Sequence, residues 1–401
     1  MSDTLSSALT RLSQQILQDA SCHDFAGYDP FDGLNSRLFD WFPGLKKGWL
    51  GLAWTQFHKR SPINFRPWCG VPKRRNPKGV GLFVLGLIEQ YHLTGDVALL
   101  TRAGTLADWL LTQQSDKAQW QHSCWGYHFD WNARAFFVPK GKPNVITTLY
   151  VAKALYELAA AFPCERASAW REAALDAGHF IVKTLFTEHE GRQFFAYIPG
   201  ETAFVHNASL WGAAWVAVVG AALNEQAYLD LALKVARQSA SEQAADGSWV
   251  YGARHHHQFI DGFHTGYNLE ALQLIQDTLH TDEFESVIQR GLHFYKTQLL
   301  EADGTAKYYH DNPYPLDMHS VAQAVFTLVR VGKTSADHRI AALVLQRALE
   351  TLYDAKSGHF CYQKTAHYTN RLNYIRWTQA WVYYAFAFYL RQQTTHDVSK
   401  G

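Results

Sequence analysis

Methionine is scarce in this chain, two in 401 residues, and cysteine is hardly more frequent. The five cysteines, Cys22, Cys69, Cys124, Cys164 and Cys361, are odd in number, widely scattered and form no CxxC pair. That spacing argues against a disulfide framework or a thiolate zinc site and for free thiols in a reducing cytoplasm. No run of about 18 apolar residues occurs, WVAVVGAAL falling far short, so no membrane span is expected. Charge of one sign is missing too: the formal net charge is +1 and no Lys/Arg-rich run appears, which excludes bulk nucleic-acid binding. The amino terminus, MSDTLSSALTRLSQQILQDASC, lacks a basic start followed by an apolar core and reads as an amphipathic helix, not a secretion signal. There is no DxDD or DDxxD string to support terpene-type cyclisation, and DPFDGL lacks the ligand ladder of a calcium loop. His255, His256 and His257 are adjacent, without i, i+4 spacing, and read as a polar loop. No metal and no cofactor is therefore expected.

What the chain does have is a repeated joint. In DGSWVYGARHHHQFIDGFHTGYNLEAL (Asp246 to Leu272) an aromatic, polar loop runs into an apolar helix. The same joint recurs at Trp125 to Leu155, Phe194 to Val219, Lys307 to Val329 and Gly358 to Phe386, with a worn copy at Arg66 to Gln90. The alignable helix starts Gly79, Asn144, Asn207, His264, His319 and Trp377 lie 65, 63, 57, 55 and 58 residues apart. A period of that size marks a helical repeat.

Periodicity predicts a first helix over Thr4 to Gln18 and a last over Tyr374 to Leu390. Between them come five pairs: Gly79 to His92 with Asp96 to Gln113, Asn144 to Phe162 with Arg166 to Phe186, and Asn207 to Leu223 with Gln226 to Gln243. The last two are His264 to Leu279 with Thr281 to Leu300, and Asp317 to Val331 with Ser335 to Tyr353. Short turns force each pair antiparallel. Twelve helices with the unpaired ends as mates close a ring of six hairpins, an all-α (α/α)6 toroid over residues 1–401 as a single domain. Helices that are apolar nearly all round, such as ASLWGAAWVAVVGAAL, belong to the inner ring, and amphipathic ones to the outer. Every motif loop then opens on one face, and residues 24–78 form a long irregular connection placed to act as a lid over that mouth.

The mouth gathers the candidate site. Aromatic faces there suit stacking on sugar rings, with Trp131, Trp249, Tyr251 and Trp377 in the cleft. Asp130, Arg134, Asn207, Tyr267, Asn268, Asp317 and Arg376 complete the candidate substrate-binding set. Asp261, His264 and His319 are the candidate catalytic residues. An imidazole at a helix amino end is favoured in its neutral, proton-accepting form. Asp317 reads first as a helix cap, whereas Asp261, one turn early beside Gly262, reads as freer to act on a ligand.

The layout resembles the (α/α)6 toroids: six-hairpin glycosidases, sugar 2-epimerases and polysaccharide lyases. The strings YDPFDGLNS, WGYHFDWNARAFFVPKGKPNV, DGFHTGYNLEAL and RWTQAWVYYAFAFYL resemble a bacterial family linked to exopolysaccharide biosynthesis (VpsJ-like proteins). No string matches, residue for residue, the paired carboxylates of a glycosidase family or the paired histidines of the 2-epimerases. The resemblance implies a cytoplasmic carbohydrate-active protein of surface-polysaccharide metabolism: a hydrolase, lyase or epimerase acting on a neutral or acidic glycan. A non-catalytic glycan-binding or scaffolding protein of polysaccharide assembly stands as the alternative.

Overall fold

The helices begin where the sequence supplies a cap. Asn76 accepts from the backbone N–H groups of Lys78 and Gly79, Asn144 from Thr147, Asp261 from His264 and Asp317 from His319. Each bond satisfies a backbone donor that a helix start leaves without a partner. At the other ends Gly95, Asn224 and His280 take left-handed conformations that close the last turn.

A computed structural model describes residues 2–132 and 137–398. Its α-helices in chain order are α1 (Ser2–Cys22), α2 (Leu38–Trp41), α3 (Gly48–Arg60), α4 (Pro77–Thr94), α5 (Val97–Thr112), α6 (Lys117–Trp120), α7 (Val145–Ala161) and α8 (Ala167–Phe180). They continue with α9 (His206–Leu223), α10 (Gln226–Ser241), α11 (Gly262–Leu279), α12 (Glu285–Gln298), α13 (Met318–Phe326), α14 (Ser335–Leu352) and α15 (Ala380–Val398). Wider π-type turns extend α8 and α13 and precede α15, at Ile181–Leu185, Thr327–Gly332 and Ile375–Gln379.

Contacts close the ring. The hairpins are α4 with α5, α7 with α8, α9 with α10, α11 with α12, α13 with α14, and α15 with α1, which joins the two ends of the chain as expected. Within the inner ring α4 touches α7, α7 touches α9, α9 touches α11, α11 touches α13, α13 touches α15, and α15 returns to α4. Burial follows the same division. Nearly all of α9 is buried, whereas α10 buries Ala232, Val235, Ala236 and Ser239, one helical stripe. Gly178 of α8 has Val219 side-chain carbons only 2.7 to 2.8 Å from where a Cβ would stand, so outer and inner helix meet there without a side chain between.

Short strands dress the motif loops. Phe186–His189 pairs antiparallel with Arg192–Phe195 in the register Phe186 to Phe195, and Trp131–Asn132 pairs with Phe137–Val138. Leu316–Asp317 pairs with Gln363–Lys364, which pairs in turn with Thr369–Asn370.

The stretch read as irregular between residues 24 and 78 contains α3, a 13-residue helix. Its helical period is masked in sequence because the buried face carries Gly51, Thr55 and His58 while the large apolar Trp49, Leu50 and Phe57 are exposed.

The capping box of α14 is the clearest local device in the outer ring. The Thr334 hydroxyl accepts from the Asp337 N–H at 3.1 Å, and Asp337 accepts from the Thr334 N–H at 3.3 Å while also holding Lys296 of α12 at 3.0 Å. Replacing Thr334 with Ala is expected to cost about 1 kcal/mol, read as a lowered urea midpoint. An unchanged midpoint would show that the box contributes nothing.

Candidate functional site

One side chain from each inner helix meets on the toroid axis. Lys78 of α4, Tyr150 of α7, Trp211 of α9, Tyr267 of α11, His319 of α13 and Trp381 of α15 are all buried. Tyr150 lies 6.2 Å from Trp211, 6.4 Å from Tyr267 and 5.3 Å from Trp381, ring centre to ring centre. His319 stacks on Trp381 at 4.5 Å, and its Nε2 meets the Tyr267 hydroxyl at 2.5 Å. Below this floor Glu270 accepts from Arg330 at 2.8 Å, and Arg330 also donates to the Tyr384 hydroxyl at 2.7 Å. The axis is closed from the mouth downward.

Lys78 brings the one amine to the floor. Its ammonium nitrogen sits 4.6 Å from the Tyr150 ring centre, 5.1 Å from Trp381 and 6.0 Å from Tyr267, and it makes no salt bridge among the described residues. Burial, then the positive charge of Arg376, hold its pKa well below the ordinary 10.5. Between that lowered value and about 10.5 the folded protein holds fewer protons than the unfolded chain, so stability rises with pH across the window. Lys78→Met should remove this slope and be more stable than wild type toward neutral pH, as urea midpoints at a series of pH values would show. A difference between the two proteins that does not change with pH would contradict it.

Above the floor stand the candidate catalytic groups. Asp261 caps α11 through the His264 N–H at 2.8 Å, and its second oxygen meets His264 Nδ1 at 2.6 Å. Both of its oxygens are thus engaged, the arrangement of a carboxylate that orients an imidazole. The imidazole it holds is about a fifth exposed (21%), and its Nε2 has no hydrogen-bond partner among the described residues. His264 packs 4.5 Å from Tyr251 and 4.2 Å from Phe263, which stacks at 4.8 Å on His319. His319 is 3% exposed with Nδ1 unpartnered, and burial followed by the charges of Lys78 and His264 keeps it neutral.

The remaining expected site residues divide. Trp131 and Trp377 both pack against Phe31, at 5.9 and 5.5 Å from its ring. Tyr251 and Tyr267 join them through His264 and the floor. Asn207 and Asn268 are buried in the first turns of α9 and α11 with their side-chain oxygens unpartnered. Asp317 is the cap it was read as: besides His319 N–H it accepts from Trp377 Nε1 at 3.0 Å and Gln363 at 2.7 Å, and burial pushes its carboxyl up to about 6. Asp130 is tied to Lys46 at 2.6 Å and to the Lys140 N–H at 2.7 Å. Trp249 is not in the cleft. Its indole donates to the Ser239 carbonyl at 2.9 Å and slots against Gly291 of α12, inside the outer wall. Arg134 lies outside the described residues.

Residues 24–76 cross the mouth as a strap. Arg376 donates to both Asp29 oxygens, at 2.5 and 2.7 Å, in a pair buried on both sides. Burial works against the Arg376 charge, but Asp29 outweighs it and holds the guanidinium above its usual range. Arg66 repeats the arrangement with Asp32 at 2.5 Å and adds the Tyr374 hydroxyl at 2.8 Å and the Asp29 carbonyl at 2.7 Å. Sequence reading missed the floor residues Lys78, Tyr150, Trp211 and Trp381. A lysine two positions past a cap in an otherwise apolar helix was the available signal.

Among the described residues no group of three His, Cys, Asp or Glu side chains converges to hold a metal. No family model matches the chain, and no curated protein does. Solved structures do. An unsaturated glucuronyl hydrolase specific for heparin superposes with a TM-score of 0.63 at 14% identity, over 100% of this chain and 99% of that one. A cellobiose 2-epimerase from Spirochaeta thermophila gives 0.60 at 14% identity, covering 80% and 87%. An α-mannanase from Bacteroides thetaiotaomicron gives 0.57 at 12%, covering 80% and 87%. At such identities the likeness concerns the fold: the chain is a six-hairpin (α/α)6 toroid.

Proposed function

We propose that this protein is a carbohydrate-active enzyme of bacterial surface-polysaccharide metabolism that moves protons on a saccharide with the imidazoles of His264 and His319. The observation that carries the reading is the Asp261–His264 pair, which fixes one ring nitrogen and leaves the other without a partner among the described residues, with a second imidazole of lowered pKa, His319, across the Phe263 ring. The similar solved structures include an epimerase, a glucuronyl hydrolase, a mannanase and a polysaccharide lyase, so saccharides are the ligand class they share. Glycoside hydrolysis by two carboxyl groups needs one free to protonate the leaving oxygen and a second to act opposite it. Asp29, Asp130, Asp261 and Asp317 are each engaged by two or more donors, which favours epimerisation or elimination. Trp131, Tyr251 and Trp377 would stack on the sugar, with Asn207 and Asn268 bonding its hydroxyls. Phe31 fills the gap between Trp131 and Trp377 that a sugar ring would take, so the strap shifts when substrate enters.

The test is to incubate the protein with neutral and acidic bacterial saccharides in deuterated water. Proton NMR for solvent deuterium at a ring carbon and absorbance of unsaturated uronates read the two outcomes. Turnover with reducing ends released but neither signal would replace this reading by hydrolysis. Saccharide binding without turnover would replace it by a glycan-binding scaffold.

A further inference from the structure

We infer that the outward face of the strap is a docking surface for an anionic phospholipid bilayer. Of the 13 large apolar side chains exposed among the described residues, nine fall between Leu38 and Trp68. Trp41, Trp49 and Trp68 are 81%, 76% and 76% exposed, an extent that a folded chain gives an indole only where nothing of its own covers it.

These side chains form one surface. On α3 the exposed positions Trp49, Leu50, Ala53, Phe57 and Arg60 recur at helical spacing, opposite the buried Gly51, Thr55 and His58. The stripe continues through Phe57 to Phe65 at 5.1 Å and from Phe65 to Trp68 at 5.4 Å. Trp68 in turn shares a groove of about 390 Å³ with Arg37 and Leu38.

The exposed charge within the strap segment is mostly of one sign. Arg37, Lys47, Arg60, Lys73 and Arg74 are exposed and without a salt bridge among the described residues, against a single acid, Asp40, between Arg37 and Arg74. Indoles at the level of lipid headgroups with lysine and arginine around them match an interfacial, non-spanning attachment. No helix among the described residues is long and apolar enough to cross a membrane, so the attachment is peripheral. A second copy of the chain is the less suitable occupant. A two-fold contact through this face would set the same cations against one another with only Asp40 to offset them.

The experiment uses the full chain with vesicles of phosphatidylcholine alone and of phosphatidylcholine with phosphatidylglycerol, followed by co-sedimentation and tryptophan emission. Binding to the anionic vesicles, an emission shift to the blue and loss of binding at high salt are expected. Trp41→Ala, Trp49→Ala and Trp68→Ala combined should abolish the binding, and Lys47→Ala with Arg60→Ala should weaken it about 25-fold, roughly fivefold per cation. Far-UV circular dichroism checks that both variants fold. Equal binding by the tryptophan variant, or none by wild type to either vesicle, overturns the inference. A dimer in solution that the tryptophan variant dissolves, without lipid binding, assigns the face to a second copy.

Discussion

A His264→Ala protein is expected to lose about 10²- to 10⁴-fold of the wild-type turnover on its saccharide while keeping its fold. The loss should fall on kcat, because in the proposed reaction the imidazole acts on a proton in flight and contributes little to holding the sugar. Removing the ring also leaves Asp261 with its cap bond to the residue-264 N–H, so α11 keeps its start. Asp261→Asn separates orientation from acid–base capacity. An amide oxygen can still cap α11, but the carboxylate that selects the His264 tautomer is gone, and kcat should drop by an intermediate factor. Retention of full turnover in either variant, with circular dichroism unchanged, would remove the imidazole pair from the mechanism. His319→Gln completes the set: it keeps a hydrogen-bonding group near the Tyr267 hydroxyl but cannot exchange a proton, and it should resemble His264→Ala.

The second large effect is on stability. Asp29→Ala strands the Arg376 guanidinium, 3% exposed and packed over Tyr127 at 5.2 Å and Trp377 at 5.3 Å, without its only salt-bridge partner among the described residues. Breaking one side of such a buried pair costs about 3–5 kcal/mol, because the remaining charge stays desolvated. The expected result is a markedly lowered urea midpoint and faster proteolysis within residues 24–76. Arg376→Met combined with Asp29→Ala should recover part of the loss, since no lone charge remains, and the departure from additivity measures the pairing. If Asp29→Ala were neutral, the strap would be anchored elsewhere, through Arg66 and Asp32.

The architecture was legible because each hairpin repeats its own start. Asn144, Asp261 and Asp317 cap their helices within three residues of where the repeat put the joint, and outer helices betrayed themselves by one-sided apolar spacing. The joint also put Asp261, His264 and His319 at helix starts, and Phe263 packs against both imidazoles. What failed to show was depth along a loop. Trp249 and Tyr251 share one aromatic string, yet the first is taken into the wall because Gly291 on α12 leaves room for an indole. Lys78 was hidden by a helix start read two residues late in the most degraded repeat copy, which left it in the preceding connection. Arg376 and Trp377 sit on a π-type turn, whose period differs from the 3.6 residues on which the helical reading rests. The second bond of Asp261, to the imidazole three residues on, is a contact that no spacing rule separates from a simple cap.

The floor made by one residue from each inner helix sets a limit on what the molecule can handle. A toroid with an open axis could let a polymer run through it like a thread through a bead, releasing products from the far side. Here Lys78, Tyr150, Trp211, Tyr267, His319 and Trp381 seal the bore, so whatever enters must back out the way it came. Under the proposed reading, a saccharide would approach and leave the His319 side by the mouth face alone.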